Sequence, residues 1–131
     1  MAYQKPNLPS VHFPAFVERL GDLSGRVYVI TGTTSGTGRV AARTIASKGG
    51  RVIMLNRPSE RAERVQAELS QAFGDLIHTI PCDLQRFASV REAAAMLNAQ
   101  CADTGVDVLI NNAGIMAMPD EATEDLSLIH I

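Results

Sequence analysis

In Val27-Tyr28-Val29-Ile30-Thr31-Gly32-Thr33-Thr34-Ser35-Gly36-Thr37-Gly38, a run of apolar, strand-forming residues stops in a turn punctuated by glycines. Val40, Ala41, Thr44, Ile45 and Lys48 follow at helical spacing,. Strand, glycine turn and helix in immediate succession bring backbone N–H groups and the positive end of a helix against one point in space. That point suits a phosphate. Gly32 makes the sharp exit from the strand, Gly36 lets a pyrophosphate approach the backbone, and Gly38 lets the helix pack close. Thr34, Ser35 and Thr37 fill the turn between them. The field of a helix end contributes only about 0.3–1 kcal/mol to an exposed charge, so converging N–H donors must supply most of the grip. Any strand that hands over directly to a helix could use such a turn, and the glycines alone do not establish a ligand.

The rest of the chain repeats the alternation. Val27 to Ile30 reads as a strand and Gly36 to Lys48 as a helix stopped by Gly49 and Gly50,. Val52 to Leu55 is a second strand. A helix from Pro58 to Phe73 follows, with Pro58 in its first turn, Ala62, Val65, Leu69 and Ala72 as its buried stripe, and Gly74 closing it,. Leu76 to Ile80 is a third strand. Phe87, Val90, Ala94, Leu97 and Cys101 mark a third helix that ends at Gly105, and Val106 to Ile110 is a fourth strand,. Strands joined by helical crossovers run parallel and are covered on both faces, which accounts for their nearly unbroken apolar character. Right-handed crossovers then predict an α/β fold with a doubly wound parallel sheet in the order 3-2-1-4.

At 131 residues the chain has the size of one ordinary domain,. A net charge of −2 leaves no basic footprint, so nucleic acid is not an expected partner,. The two cysteines, Cys82 and Cys101, have no metal-ligand spacing and read as small, reduced apolar residues,. His12, His78 and His130 are scattered and suggest no metal. No apolar run reaches the roughly 18 residues of a membrane span. The first residues, with Pro6, Pro9 and Pro14, lack the apolar region of a secretory signal and read as an extended arm leading to a short helix over Ala15 to Leu20,. Composition points to a cytoplasmic domain and leaves an organelle address open.

Two further positions bear on a nucleotide. The second strand ends at Asn56-Arg57, about twenty residues after the glycine turn, where a ribose-reading group belongs,. A carboxylate there would accept from the 2′-hydroxyl of NAD. An arginine makes bidentate contacts to a 2′-phosphate instead, so Arg57, helped by Asn56, favours NADP over NAD. Arg57 could equally be a solvated loop cation. Asp83, at the carboxyl end of the third strand beside Leu84, could accept from an adenine amine or could close an Asx turn before the next helix. Residue chemistry leaves both open.

Taken together these residues resemble the short-chain dehydrogenase/reductase family, in its non-extended branch. Thr31-Gly32-Thr33-Thr34-Ser35-Gly36-Thr37-Gly38 matches the family's Thr-Gly-x-x-x-Gly-x-Gly turn, with Thr37 where isoleucine is frequent. Cys82-Asp83-Leu84 matches its adenine-contacting aspartate, and Asn111-Asn112-Ala113-Gly114 its Asn-Asn-Ala-Gly. The resemblance covers about Leu23 to Asp125. Leu109 to Ala117 and the acidic stretch Asp120 to Asp125 are similar to the retinol dehydrogenase-like group. The resemblance implies a Rossmann-type sheet that continues past the fourth strand, so this chain is incomplete on its C-terminal side. It implies an NADP-dependent oxidoreductase that interconverts an alcohol and a carbonyl by hydride transfer, with lipophilic substrates and a homo-oligomeric parent among the possibilities. Asp83 and Leu84 would flank the adenine, while Asn112, Ala113 and Gly114 would approach the nicotinamide-side ribose.

The family's chemistry uses a Tyr-x-x-x-Lys pair and an upstream serine. The tyrosines here are Tyr3 and Tyr28, and four residues after them stand Asn7 and Gly32. No catalytic residue is assigned, and the chain alone is expected to be inactive. A non-catalytic dinucleotide-binding or partner-binding module, such as a short isoform, shares every motif present. A methyltransferase of similar topology would want an acid where Arg57 stands. After Asp125 the sequence Leu126-Ser127-Leu128-Ile129-His130-Ile131 resembles the translation of a transposase-end adapter from sequencing libraries. The expected organisation is therefore an arm and short helix over 1–22, a dinucleotide-binding half-domain over 23–125 and a non-native tail over 126–131.

Overall fold

In the computed structural model, which describes residues 10–115 and 125, four parallel strands form one sheet in the order β3-β2-β1-β4. The elements run α1 (Phe13–Arg19), β1 (Val27–Thr31), α2 (Gly36–Ser47), β2 (Arg51–Asn56), α3 (Glu60–Phe73), β3 (Ile77–Pro81), α4 (Phe87–Gln100) and β4 (Val108–Ile110). This is the α/β alternation and strand order that the hydrophobic pattern predicts. Val29 pairs with Ile53 on one side and Leu109 on the other, so β1 lies inside the sheet. The expected tail, residues 126–131, and most of the expected arm lie outside the described residues.

Alternate residues of each strand point to opposite faces. One face carries Ile30, Val52, Met54 and Ile77, covered by Ala42 and Ala46 of α2 and by Val65 and Leu69 of α3. The other carries Val27, Val29, Ile53 and Ile80, covered by Ala93 of α4 and by Cys82 and Cys101. Both faces of the central strands are thus buried, which only an apolar run without polar alternation allows.

Several boundaries differ from the sequence expectation for identifiable reasons. The short first helix begins at Phe13 rather than Ala15, with Pro14 in its first turn,. Pro58 stands outside α3, because Ser59 caps that helix by accepting from the Ala62 amide at 3.1 Å,. Ala72 is exposed, and Phe73 packs against the core in its place. On α4 the buried position is Ala93, not Ala94, since Val90, Ala93, Leu97 and Cys101 make the continuous stripe. A 3₁₀ turn over Gly74–Leu76 delays β3 to Ile77. Before β4, Asp107 is tied to the start of β1: the Val27 amide donates to its Oδ2 at 2.7 Å and its own amide donates to the Val27 carbonyl at 3.0 Å.

Candidate functional site

All four strands run the same way, so the loops leaving their carboxyl ends gather along one edge of the sheet. The chain crosses from one face to the other between β1 and β4, the place where open parallel sheets form a crevice. A cleft of about 870 Å³ lies there. Its walls come from the turn after β1 (Gly32, Thr34, Ser35, Thr37), the end of β2 and start of α3 (Asn56, Arg57, Ser59, Arg61, Arg64), the loop after β3 (Asp83, Leu84) and the loop after β4 (Asn112, Ala113, Gly114). Eleven of the thirteen residues singled out from sequence thus face one space.

Gly36 and Gly38 do not line the cleft and act on its shape instead. Gly36 has φ +55° and open space where a side chain would be. Gly38 is buried in the first turn of α2, where a Cβ would collide with the Gly32 carbonyl oxygen and with Nδ2 of Asn112. Gly32 itself has φ +70°, and a Cβ there would lie 2.8 Å from the Ala113 Cα. The loops after β1 and β4 therefore approach more closely than side chains allow.

That approach is fixed by hydrogen bonds. Thr31 Oγ1 accepts from the amides of Asn112 (3.1 Å) and Ala113 (3.0 Å). Asn112 Nδ2 donates to the carbonyls of Thr31 (3.0 Å) and Gly32 (2.9 Å). The Asn112 side chain is thus a brace across two loops. Beyond it, the N-terminus of α2 opens with Ser35 in extended conformation, no side-chain cap and no acidic residue in the first turn. Helix starts leave amide donors without intrahelical partners, and here they adjoin the cleft.

Asn56 is placed differently from the sequence expectation. Its side chain does not stand beside Arg57 at the cleft mouth; the residue is only 3% exposed. Its Oδ1 accepts from the Thr33 amide at 2.9 Å and the Thr33 hydroxyl at 3.2 Å, and its Nδ2 donates to Thr33 Oγ1 at 2.8 Å. Its position as the last residue of a buried strand, directly behind the glycine turn, draws the carboxamide inward. Arg57, the next residue, is exposed. Arg61 and Arg64 line the cleft with it, and sequence reasoning overlooked them. The signal was present for Arg61 and Arg64, which stand three residues apart in the first turns of α3 and so share one side of the helix,.

At Asp83 the Asx turn is realised: Oδ1 accepts from the Gln85 amide at 3.0 Å, and the Asp83 amide donates to Ser89 Oγ at 2.9 Å. The residue still lines the cleft beside Leu84. Cys82, just before it, is buried; desolvation, with a smaller contribution from the Asp83 charge, pushes its thiol pKa up and keeps it protonated. Tyr28 is enclosed within β1 and faces no cleft. Among the described residues there is no cluster of three or more metal-ligating side chains and no helix long and apolar enough to cross a membrane.

The family profile described as short chain dehydrogenase matches residues 26–129. The chain belongs to the short-chain dehydrogenase family. Polyprenol dehydrogenase of Mus musculus is 37% identical to this short-chain dehydrogenase chain over 102 residues, covering 77% of the chain and 30% of that protein. Retinol dehydrogenase 13 of Homo sapiens is 32% identical over 104 residues, covering 79% and 31% respectively. Among solved structures, the NADPH-dependent 3-quinuclidinone reductase from Rhodotorula rubra superposes with a TM-score of 0.63 at 31% identity, covering 95% of this chain and 44% of that one. The chain spans less than a third of the length of those two curated relatives. Both curated relatives are dehydrogenases by name, and the fold of this chain superposes on part of the Rhodotorula reductase.

Proposed function

We propose that the full-length protein is an NADP-dependent oxidoreductase that interconverts an alcohol and a carbonyl by hydride transfer, and that residues 23–125 form its cofactor-binding half. The observation that carries this reading is Arg57, an exposed guanidinium at the end of β2, lining the same cleft as the uncapped start of α2. The residues fit a dinucleotide phosphate in kind. Amides of the turn and of the first turn of α2 would hold the pyrophosphate, with Gly32 and Gly36 clearing the backbone. Arg57 would take the 2′-phosphate, with Arg61 and Arg64 adding positive charge nearby. Asp83 and Leu84 would flank the adenine, and Ala113 and Gly114 the nicotinamide-side ribose.

A bound nicotinamide would supply the hydride. This chain's part is to bind and orient it. Tyr28 is walled into the sheet and cannot pass a proton to a substrate oxygen, so it is not the proton donor. The name of the Rhodotorula reductase, which specifies NADPH, and those of the polyprenol and retinol relatives support a phosphorylated cofactor and a lipophilic alcohol or carbonyl. Equilibrium titration of the full-length protein with NADPH and NADH tests the reading. Binding of NADPH at least tenfold tighter than NADH is expected. Preference for NADH, or no binding of either, would overturn it.

A further inference from the structure

We propose that Asn56 and Thr33 form a buried positioning lock that holds the phosphate-facing turn in shape, so that Asn56 governs affinity for the diphosphate common to both nicotinamide dinucleotides rather than recognition of the 2′-phosphate. The inference rests on the dinucleotide reading of the cleft.

Thr33 is fully buried and Asn56 nearly so, yet both are polar. Polar side chains in such surroundings persist only when their hydrogen bonds are made, and here they are made to each other. The carboxamide oxygen receives the Thr33 amide, and the carboxamide nitrogen reaches the Thr33 hydroxyl. The Thr33 amide therefore points back into the protein, while Gly32 on one side and Thr34 and Ser35 on the other face the cleft. A turn residue whose N–H is committed inward fixes the peptide planes on either side of it. The plane that follows Thr33 carries the Thr34 amide, on the side of the turn that lines the cleft.

The lock also joins two recognition elements. Thr33 follows the first glycine of the turn, and Asn56 precedes Arg57 in the chain. The Gly32 amide adds a bond to the Leu55 carbonyl at 3.1 Å. Consecutive residues of the turn are therefore tied to consecutive residues at the end of β2. The amides that face a diphosphate and the guanidinium that faces a 2′-phosphate are held at one fixed separation. Preorganised donors bind an anion without reordering cost, whereas a loosened turn must be ordered at binding.

The test compares Asn56→Ala, Thr33→Val and Thr33→Ser with Arg57→Ala in the full-length protein. Each variant is titrated with ADP, NADH and NADPH, and amide hydrogen exchange of residues 32–35 is followed without ligand. Asn56→Ala and Thr33→Val are expected to weaken all three ligands by a similar factor, about tenfold, with faster exchange at Thr33. Arg57→Ala should weaken NADPH alone. Thr33→Ser, which keeps the hydroxyl, should retain most of the protection and affinity. If Asn56→Ala does not fold, the two Thr33 variants decide. Loss of NADPH binding with ADP and NADH unaffected would make Asn56 a direct 2′-phosphate reader and overturn the lock. Unchanged exchange at Thr33 in Asn56→Ala and Thr33→Val would overturn it too. The exchange measurement needs no dinucleotide, so a protein that binds neither cofactor but loses protection in these variants would sink the functional reading and leave the lock standing.

Discussion

Arg57 and Asn56 are neighbours with opposite fates, and their difference is one of burial. A residue at the end of a buried strand faces either the core or the crevice, and the choice is set by strand register, not by side-chain type. The sequence therefore marked positions 56 and 57 but did not divide burial and exposure between the two residues. The same holds at Asp83, where the local Asx turn satisfies one carboxylate oxygen without removing the residue from the cleft. Cys82, beside it, offers a test of burial. Its folded-state pKa is raised, first by desolvation and then by the Asp83 charge. An unfolded thiol titrates at about 8.5. Between that value and the higher folded one, the unfolded chain has lost a proton that the folded chain keeps. Stability is thus fully present below the ordinary thiol pKa and declines as pH rises through the folded value. Urea midpoints measured across the alkaline range should fall more for the natural chain than for Cys82→Ala. Parallel declines would remove this account of the thiol.

Among the elements, β1, α2 and β2 were the most legible, because a buried parallel strand and an amphipathic helix have different hydrophobic periods. Boundaries were less so. Pro58 suits a helix start, but Ser59 offers an oxygen to the Ala62 amide and begins α3 after itself. On α4, Ala93 and Ala94 are indistinguishable in sequence, and only the helix's rotation over the sheet decides which is buried. The packing of α2 on β1 depends on Gly38. Its substitution by alanine drives a methyl group into the Gly32 carbonyl and the Asn112 amide, both part of a rigid junction. Gly38→Ala should cost about 3 kcal/mol, toward the upper end of ordinary overpacking. Gly36→Ala meets no neighbouring atom, so its cost should come only from the left-handed backbone. Thermal or urea melts of the two variants check the ranking, and equal destabilisation would show that the Gly38 contact yields more easily than its geometry implies.

For the molecule as a whole, sheet order and the gathering of loops at one edge followed from parallel strands and right-handed crossovers, so fold class and cleft position were both readable in advance. The long-range hydrogen bonds were not, since no local pattern pairs Thr33 with Asn56 or Thr31 with Asn112. The described sheet also leaves β4 on its margin, with Leu109 opposite Val29 and 56% exposed on the face that α4 only partly covers. An apolar margin strand is a template for association. The isolated chain is expected to aggregate at micromolar concentration, and Leu109→Lys should reduce light scattering at equal concentration; a monodisperse natural chain with a sharp melt would contradict this. The Asn112 brace has one more consequence. Its partners Thr31 and Gly32 lie 81 and 80 positions earlier. During synthesis the glycine turn emerges long before the side chain that pins it, so a ribosome-bound intermediate carries the turn in sequence but not yet in form. Its final shape arrives late, when the fourth strand docks.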